Sequence, residues 1–190
     1  MSVIQYNPNV PYEVITIDGL YTHDEVAMFR SFIEDADNHN RTFTSSPFKN
    51  GKVIKPEWSK LMYERISPHL PSEYIDRNGK RWTFMETPKY IMYANINSGE
   101  RFGIHTDTGC EYDEQKNKYS KFTVLTYLND EYEGGNTQFY DERFAKTVTI
   151  KPRTNRTLIF DIDLFHSGEP VLSGSKYWIG TELVCYGYGV

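Results

Sequence analysis

Only two cysteines, Cys110 and Cys185, occur among the 190 residues. That is too few for a disulfide framework, and their separation matches no zinc motif, so the chain reads as one made for a reducing compartment. No apolar run approaches the roughly 20 residues that a membrane-spanning helix needs. The opening MSVIQYNPNV also lacks the basic region and apolar stretch of a secretory signal. The expectation is a cytoplasmic protein with no membrane partner. Positive charge is not in surplus either: 21 basic side chains face 26 acidic ones, a net charge of -5, so the global field favours no nucleic-acid partner. Internal repeats, low-complexity linkers and breaks in composition are missing as well, which predicts one domain over residues 1–190.

What is present suffices for one sizeable core, with 38% apolar and 15% aromatic residues. The first part, to about residue 80, reads as a helical support. Thr22 followed by Glu25 forms a capping box, and Val26, Phe29, Phe32 and Ile33 recur at helical spacing, predicting a helix from about Asp24 to Asp37. A second helix is expected after Pro56, with Trp58, Leu61, Met62 and Ile66 inward and Pro68 near its end. The polar stretch between them, Asn38 to Lys55, reads as a loop.

From about residue 81 the pattern changes to short β-branched and aromatic segments: Lys89–Asn97, Lys121–Asn129, Asn136–Tyr140, Thr147–Lys151, Thr157–Asp161 and Lys176–Tyr186. Gly134-Gly135 and Pro152 to Asn155 supply turns. Strands at this spacing without intervening helices predict a mainly β sandwich or jelly roll, with the N-terminal helices packed on its outer sheet face. The strand Lys121–Asn129 is apolar on both sides, as a central strand is. Tyr127 shares a face with Thr123 and Leu125, so an inward hydroxyl there needs a partner, although an ordinary core tyrosine bonded to backbone has the same pattern.

The chemistry-bearing residues stand around this pattern. In Arg101-Phe102-Gly103-Ile104-His105-Thr106-Asp107, positions i and i+2 of an extended segment project to one side, so His105 and Asp107 can reach one ion together. A His-x-Asp triplet alone is as ordinary as a surface or capping pair. His166 follows an apolar strand and precedes a glycine turn, well placed for a third ligand, though a lone histidine is more often structural. Two imidazoles and one carboxylate on one face of an octahedral ion leave open positions, the arrangement of non-haem Fe(II) oxygenases. Asp161 and Asp163 are near enough to accept from a ligand imidazole, or else are solvated turn residues. Lys176 opens the apolar stretch Tyr177-Trp178-Ile179 and must either meet an anion or extend to water. Thr108 to Ser120 is a lid or a polar hairpin loop, and Thr42 to Lys55, with Phe43, Phe48 and Gly51, is a second rim candidate. Arg101 reads as a surface side chain and Cys110 as a small filler.

From about Tyr90 to Tyr186, roughly half the chain, the sequence resembles the prolyl 4-hydroxylase-like branch of the 2-oxoglutarate and Fe(II)-dependent oxygenases. The motifs occur in order: Gly99-Glu100-Arg101-Phe102 leading into His105-Thr106-Asp107, then Lys121 to Asp130, Gly134 to Phe139, Phe160 to Pro170, and Ser173-Gly174-Ser175-Lys176-Tyr177. The resemblance implies a double-stranded β-helix with His105, Asp107 and His166 as iron ligands. It implies Lys176 and Tyr127 as the residues binding the distal carboxylate of 2-oxoglutarate. The cofactor and cosubstrates implied are Fe(II), 2-oxoglutarate and dioxygen, with ascorbate as an accessory. The implied reaction hydroxylates an unactivated C–H bond of a peptidyl, prolyl-like, or amino-acid substrate, releasing succinate and carbon dioxide. Asp107, where halogenases of this superfamily carry a small residue, points to hydroxylation. The arginines that nucleic-acid demethylases show after the last histidine do not follow His166. Ile96 stands where many relatives have a tyrosine, and Gly180 where they have an arginine, which is expected to open space and remove charge. The alternative from a different class is a noncatalytic jelly-roll module that binds a metal or ligand.

Overall fold

The β-branched and aromatic segments fold as strands of a large and a smaller antiparallel sheet and of a separate two-stranded ladder, in a computed structural model that describes residues 2–7, 10–35, 49–76, 78–109 and 111–188. In chain order the first strands are β1 (Ser2–Asn7), β2 (Val10–Asp18), β3 (Lys49–Ile54), β4 (Tyr74–Ile75), β5 (Arg81–Glu86), β6 (Tyr90–Asn97), β7 (Phe102–His105) and β8 (Tyr112–Asp113). Then follow β9 (Lys118–Tyr127), β10 (Glu133–Gly134), β11 (Thr137–Tyr140), β12 (Lys146–Ile150), β13 (Arg156–Asp161), β14 (His166–Gly168), β15 (Val171–Ser173) and β16 (Ser175–Tyr188). The helices are α1 (His23–Asp35) and α2 (Pro56–Ile66).

The large sheet runs β1-β2-β13-β9-β16, and the far edge of β16 is shared by β6, which carries β3, and by β5, which carries β4. The smaller sheet is β12-β11-β14-β7. This is the expected mainly β jelly roll with flanking helices. As its double-sided apolar pattern predicted, β9 is a central strand, held between β13 and β16.

Helix α1 begins at the capping box: Glu25 N–H donates to Thr22 Oγ1 (3.2 Å), and Thr22 N–H donates to Glu25 Oε2 (2.7 Å). These bonds satisfy donors that a helix start leaves orphaned. Val26, Phe29 and Ile33 of α1 and Met62 and Ile66 of α2 are buried on the outer face of the large sheet, with Ile91, Tyr93 and Ile179. Phe29 meets Trp58 edge-on at 5.0 Å, which locks the two helices together. Pro56 occupies the first turn of α2, where its missing N–H is harmless.

A second cluster fills the space between the sheets: Val14, Tyr127, Phe139, Ile150, Leu158, Phe160 and Leu164. Each such large apolar side chain stabilises the fold by about 1.5–3 kcal/mol on burial. Phe160 of this cluster, with Leu125 and Trp178 packed against it, also lines the cavity of the site. No helix among the described residues is long and apolar enough to cross a membrane.

The first 80 residues are not only a helical support. Four strands lie among the described residues there, and β2 is a full member of the large sheet, pairing with β13 from Arg156↔Asp18 to Phe160↔Val14. The end of the stretch expected to be a loop up to Lys55 is likewise a strand, β3, pairing with β6 from Lys49↔Asn95 to Ile54↔Tyr90. In both cases a partner distant in sequence supplies the ladder, which short-range composition does not reveal. Ala36 and Asp37, the expected end of the first helix, and Phe43, Phe48 and Cys110 fall outside the described residues.

Candidate active site

Strands β7 and β14 pair antiparallel, with His105 directly opposite His166. Side chains of directly opposed residues share a face, and the two imidazole centroids are 4.3 Å apart. Asp107 follows the end of β7, where its own N–H donates to Ile162 C=O (3.0 Å) and fixes the segment against the turn after β13. His105 Nε2 lies 3.5 Å from Asp107 Oδ1, and His166 Nε2 lies 3.7 Å from Asp107 Oδ2. The three donor atoms are all within 4.8 Å of one another, close enough to share one ion.

The other ring nitrogens are also fixed. His105 Nδ1 is 2.8 Å from Gly103 O, and His166 Nδ1 is 2.9 Å from Leu164 O. A carbonyl only accepts, so each Nδ1 carries the proton and each Nε2 presents a lone pair to the centre. Asp161 and Asp163 are therefore not the acceptors of the imidazole N–H groups. Asp161 is not a solvated turn residue either: it is buried, receives the Tyr74 hydroxyl at 3.2 Å, and burial raises its pKa.

Electrostatics prepares the same group for a cation. Burial opposes ionisation of Asp107, yet the two histidines and the Thr123 hydroxyl, which donates to Oδ2 at 2.5 Å, hold its pKa below the usual carboxylate value. Burial pushes the pKa of His166 down, keeping the imidazole neutral as a ligand must be. For His105 burial acts in the same sense, but Asp107 and the Gly103 carbonyl overcome it and raise its pKa.

A cavity of about 500 Å³ opens onto these residues, and Lys176 stands in its wall. Lys176 does not extend to water: it is 3% exposed, and burial brings its pKa down to about 7. Its Nζ donates to Gly135 C=O at 2.5 Å and lies 5.1 Å from the centre of the Tyr127 ring. A carbonyl and a ring face compensate an ammonium far less than an anion does. Tyr127 is fully buried behind this wall, sharing a 2.5 Å hydrogen bond with Thr137 Oγ1, and it is Thr137 that lines the cavity.

Residues 89–181 match the family model described as the 2OG-Fe(II) oxygenase superfamily. Over those residues, just under half of its length, the chain is similar to that superfamily. No curated protein matches the chain in sequence. Among solved structures, its fold is similar to the viral collagen prolyl hydroxylase of Paramecium bursaria Chlorella virus-1 in its 2OG complex. That match has 20% identity and a TM-score of 0.59, covering 91% of this chain and 96% of that one. A prolyl-4-hydroxylase from Pseudomonas putida is 12% identical with a TM-score of 0.61, covering 90% and 91%. A prolyl hydroxylase from Trichoplax adhaerens, in complex with a hypoxia inducible factor oxygen degradation domain peptide fragment, is 15% identical with a TM-score of 0.62, covering 90% and 82%. The chain is thus prolyl 4-hydroxylase-like in fold, and the family match supports a 2-oxoglutarate-dependent enzyme.

The residues present fit the cofactor and cosubstrate of the superfamily. Two outward lone pairs and a carboxylate held ionised suit a divalent cation, and a buried lysine at the cavity wall suits a carboxylate. Of the two departures from relatives, Ile96 is buried in the cavity wall. Gly180 corrects the expectation that its small size opens space: a Cβ there would run into the Val124 carbonyl oxygen, so backbone already fills the place.

The segment expected as a lid or hairpin resolves as the hairpin. β8 pairs with β9 through Tyr112↔Tyr119 and Asp113↔Lys118, Asn117 takes the left-handed turn position (φ 54°), and Thr108 and Gly109 reach the cavity. Of the second rim candidate, Asn50 and Gly51 do line the cavity, whereas sequence reading missed Glu182 of its wall. For Glu182 a signal existed, because Lys176, Trp178, Gly180 and Glu182 alternate along one strand, and an acid inside a buried strand is rare.

Proposed function

We propose that this protein is an Fe(II)- and 2-oxoglutarate-dependent hydroxylase of a peptidyl, prolyl-like, or amino-acid substrate. His105, Asp107 and His166 are assigned as the iron ligands, and Lys176 as the partner of the distal 2-oxoglutarate carboxylate. Tyr127 serves the same carboxylate from behind, through Thr137 and through its ring beneath the ammonium. The observation that carries the reading is the opening of one cavity onto the three convergent donors and a deeply buried lysine.

When bound, iron(II) and 2-oxoglutarate would activate dioxygen, the oxidant, one of whose oxygen atoms enters succinate as 2-oxoglutarate loses carbon dioxide while the other enters the substrate C–H bond, with ascorbate as accessory reductant. The protein's own contribution is placement. The β7–β14 ladder sets the imidazoles, Thr123 aims the Asp107 carboxylate, and Phe160 and Trp178 furnish apolar wall. No side chain is required as nucleophile.

Anaerobic addition of Fe(II) and then 2-oxoglutarate should give a weak visible charge-transfer band. Aerobic incubation should release succinate, slowly even without a prime substrate. A protein that gives neither does not have this function.

A further inference from the structure

Two of the three metal donors are held by a single turn. After β13 ends at Asp161, Leu164 N–H donates to Asp161 C=O (3.1 Å) and closes the turn 161–164, beyond which β14 begins at His166. Ile162 C=O accepts the N–H of Asp107 (3.0 Å), and Leu164 C=O accepts from Nδ1 of His166 (2.9 Å). The main chain of one donor residue and the ring of another are thus set by two carbonyls of the same turn. His105 stands outside this arrangement, because the carbonyl that fixes its ring, Gly103, lies on its own strand.

The side chain that fixes the turn lies on the far side of the large sheet. Side chains alternate along β13: Leu158 and Phe160 join the cluster between the sheets, whereas Ile159 joins the one under the helices, and Asp161 shares its face. Asp161 is 2% exposed. Its Oδ1 accepts the N–H of Asp163 within the turn (2.9 Å), and its Oδ2 accepts the hydroxyl of Tyr74 from β4 (3.2 Å). The Tyr74 ring in turn meets Phe122 edge-on at 4.9 Å, and Phe122 is the partner of Asp161 across the β9–β13 ladder. Ile162 N–H donates to Lys121 C=O (3.1 Å), so residue 162 is bonded to β9 by its N–H and to Asp107 by its C=O.

A carboxyl group is a costly filler for an apolar face, and burial raises its pKa there. An apolar side chain would pack without that cost, but it could accept neither the Asp163 N–H nor the Tyr74 hydroxyl. Both bonds converge on the turn whose carbonyls serve the triad.

We propose that Asp161, anchored by Tyr74, is a positioning residue for the metal site: from the outer face of the sheet it fixes the turn whose carbonyls set Asp107 and His166. It touches neither imidazole and acts through the carbonyls of Ile162 and Leu164. The inference rests on the function proposed above, since a bound metal is what gives this placement a chemical consequence.

Three variants and two metals test it. Asp161→Ala removes both acceptors, and Tyr74→Phe removes one donor. Asp161→Asn keeps the shape: its amide oxygen accepts from Asp163, and its amide nitrogen donates to the Tyr74 hydroxyl, which can accept as well as donate. Affinity for Co(II) alone, and anaerobically for Fe(II) alone, is measured by calorimetry on the full chain at a temperature where circular dichroism shows the variants folded. Asp161→Ala should weaken both metals by roughly 10–100-fold, the usual effect of losing a group that orients ligands. It should also alter the visible spectrum of the Co(II) form, which reports coordination geometry. Tyr74→Phe should weaken binding by about threefold or more, the scale of one hydrogen bond, and Asp161→Asn should stay within about threefold of the wild type.

A residue that served stability alone would lower Tm and leave the metal affinity of the folded protein as it was. Unchanged affinity and an unchanged Co(II) spectrum in Asp161→Ala therefore overturn the proposal, and if that variant does not fold, unchanged affinity in Tyr74→Phe overturns it instead. Asp161→Asn as weak as Asp161→Ala overturns it too, because charge rather than hydrogen bonding would then be the cause. A wild-type protein that binds neither metal defeats the proposed function and this inference with it. Variants that match a metal-binding wild type defeat this inference alone.

Discussion

His105 and His166 are direct partners across the β7–β14 ladder although 61 positions separate them in sequence, and their ring centroids lie 4.3 Å apart. The smaller sheet thus builds two-thirds of the donor set by strand register alone. A slip of one residue would turn one imidazole to the opposite face and destroy the set.

Truncating any of the three donors should therefore end metal binding without unfolding the chain. His105→Ala, Asp107→Ala and His166→Ala are each expected to lose the Fe(II)–2-oxoglutarate band and succinate release while far-ultraviolet circular dichroism stays unchanged. Full activity in any one of them would remove that residue from the assignment.

Thr123 positions Asp107 through the 2.5 Å hydroxyl bond, and Thr123→Val removes that bond at similar volume. Loss of a partner that orients a ligand typically weakens metal affinity by roughly 10–100-fold. Fe(II) titration followed by calorimetry should show a weakening in that range, with the fold retained.

Lys176 should impose a pH dependence on 2-oxoglutarate binding. Its pKa of about 7 means the ammonium is present below that pH and is lost above it in the ligand-free protein. Binding a carboxylate above pH 7 then requires uptake of a proton, so the Kd for 2-oxoglutarate should rise by up to about tenfold per pH unit. Lys176→Met should abolish this dependence together with most of the affinity. The buried ammonium also destabilises the ligand-free fold. That penalty is full below about 7 and fades as the pH rises towards the ordinary lysine value, so Lys176→Met should raise Tm at pH 6 more than at pH 9.

Gly180 is required by the close approach of the Val124 carbonyl. Gly180→Ala forces strands β9 and β16 apart where they are central to the large sheet, and overpacking of this kind costs about 1–3 kcal/mol. At this chain length Tm should fall by roughly 2–4 °C for each kcal/mol. An unchanged Tm would mean that the ladder can absorb the methyl group.

The capping box at Thr22 and Glu25, the amphipathic spacing of α2 and the two-sided apolar pattern of β9 were all legible, because each depends on residues close in sequence. The strands β2 and β3 were not, since their ladders are completed by β13 and β6 from far along the chain. Asp161 was misread for a similar reason: a carboxylate after a strand looks solvated until Tyr74, 87 positions away, is seen to lie against it. Gly180 looked like added space because sequence does not show which backbone lies opposite.

The sequence by itself determined the kinds of donor and their order and the mainly β character, since these follow from residue types and local periodicity, and its ordered motifs carried the resemblance to 2-oxoglutarate oxygenases. Tertiary structure brings His166 against His105 and Asp107, with which the resemblance had grouped it, and it alone decided that backbone carbonyls rather than aspartates hold the imidazoles and that Lys176 and Glu182 share one cavity. The physical reason is register: side chains in a sheet meet through hydrogen bonding between distant strands, and only the folded pairing of β7, β14, β9 and β16 specifies which ones meet.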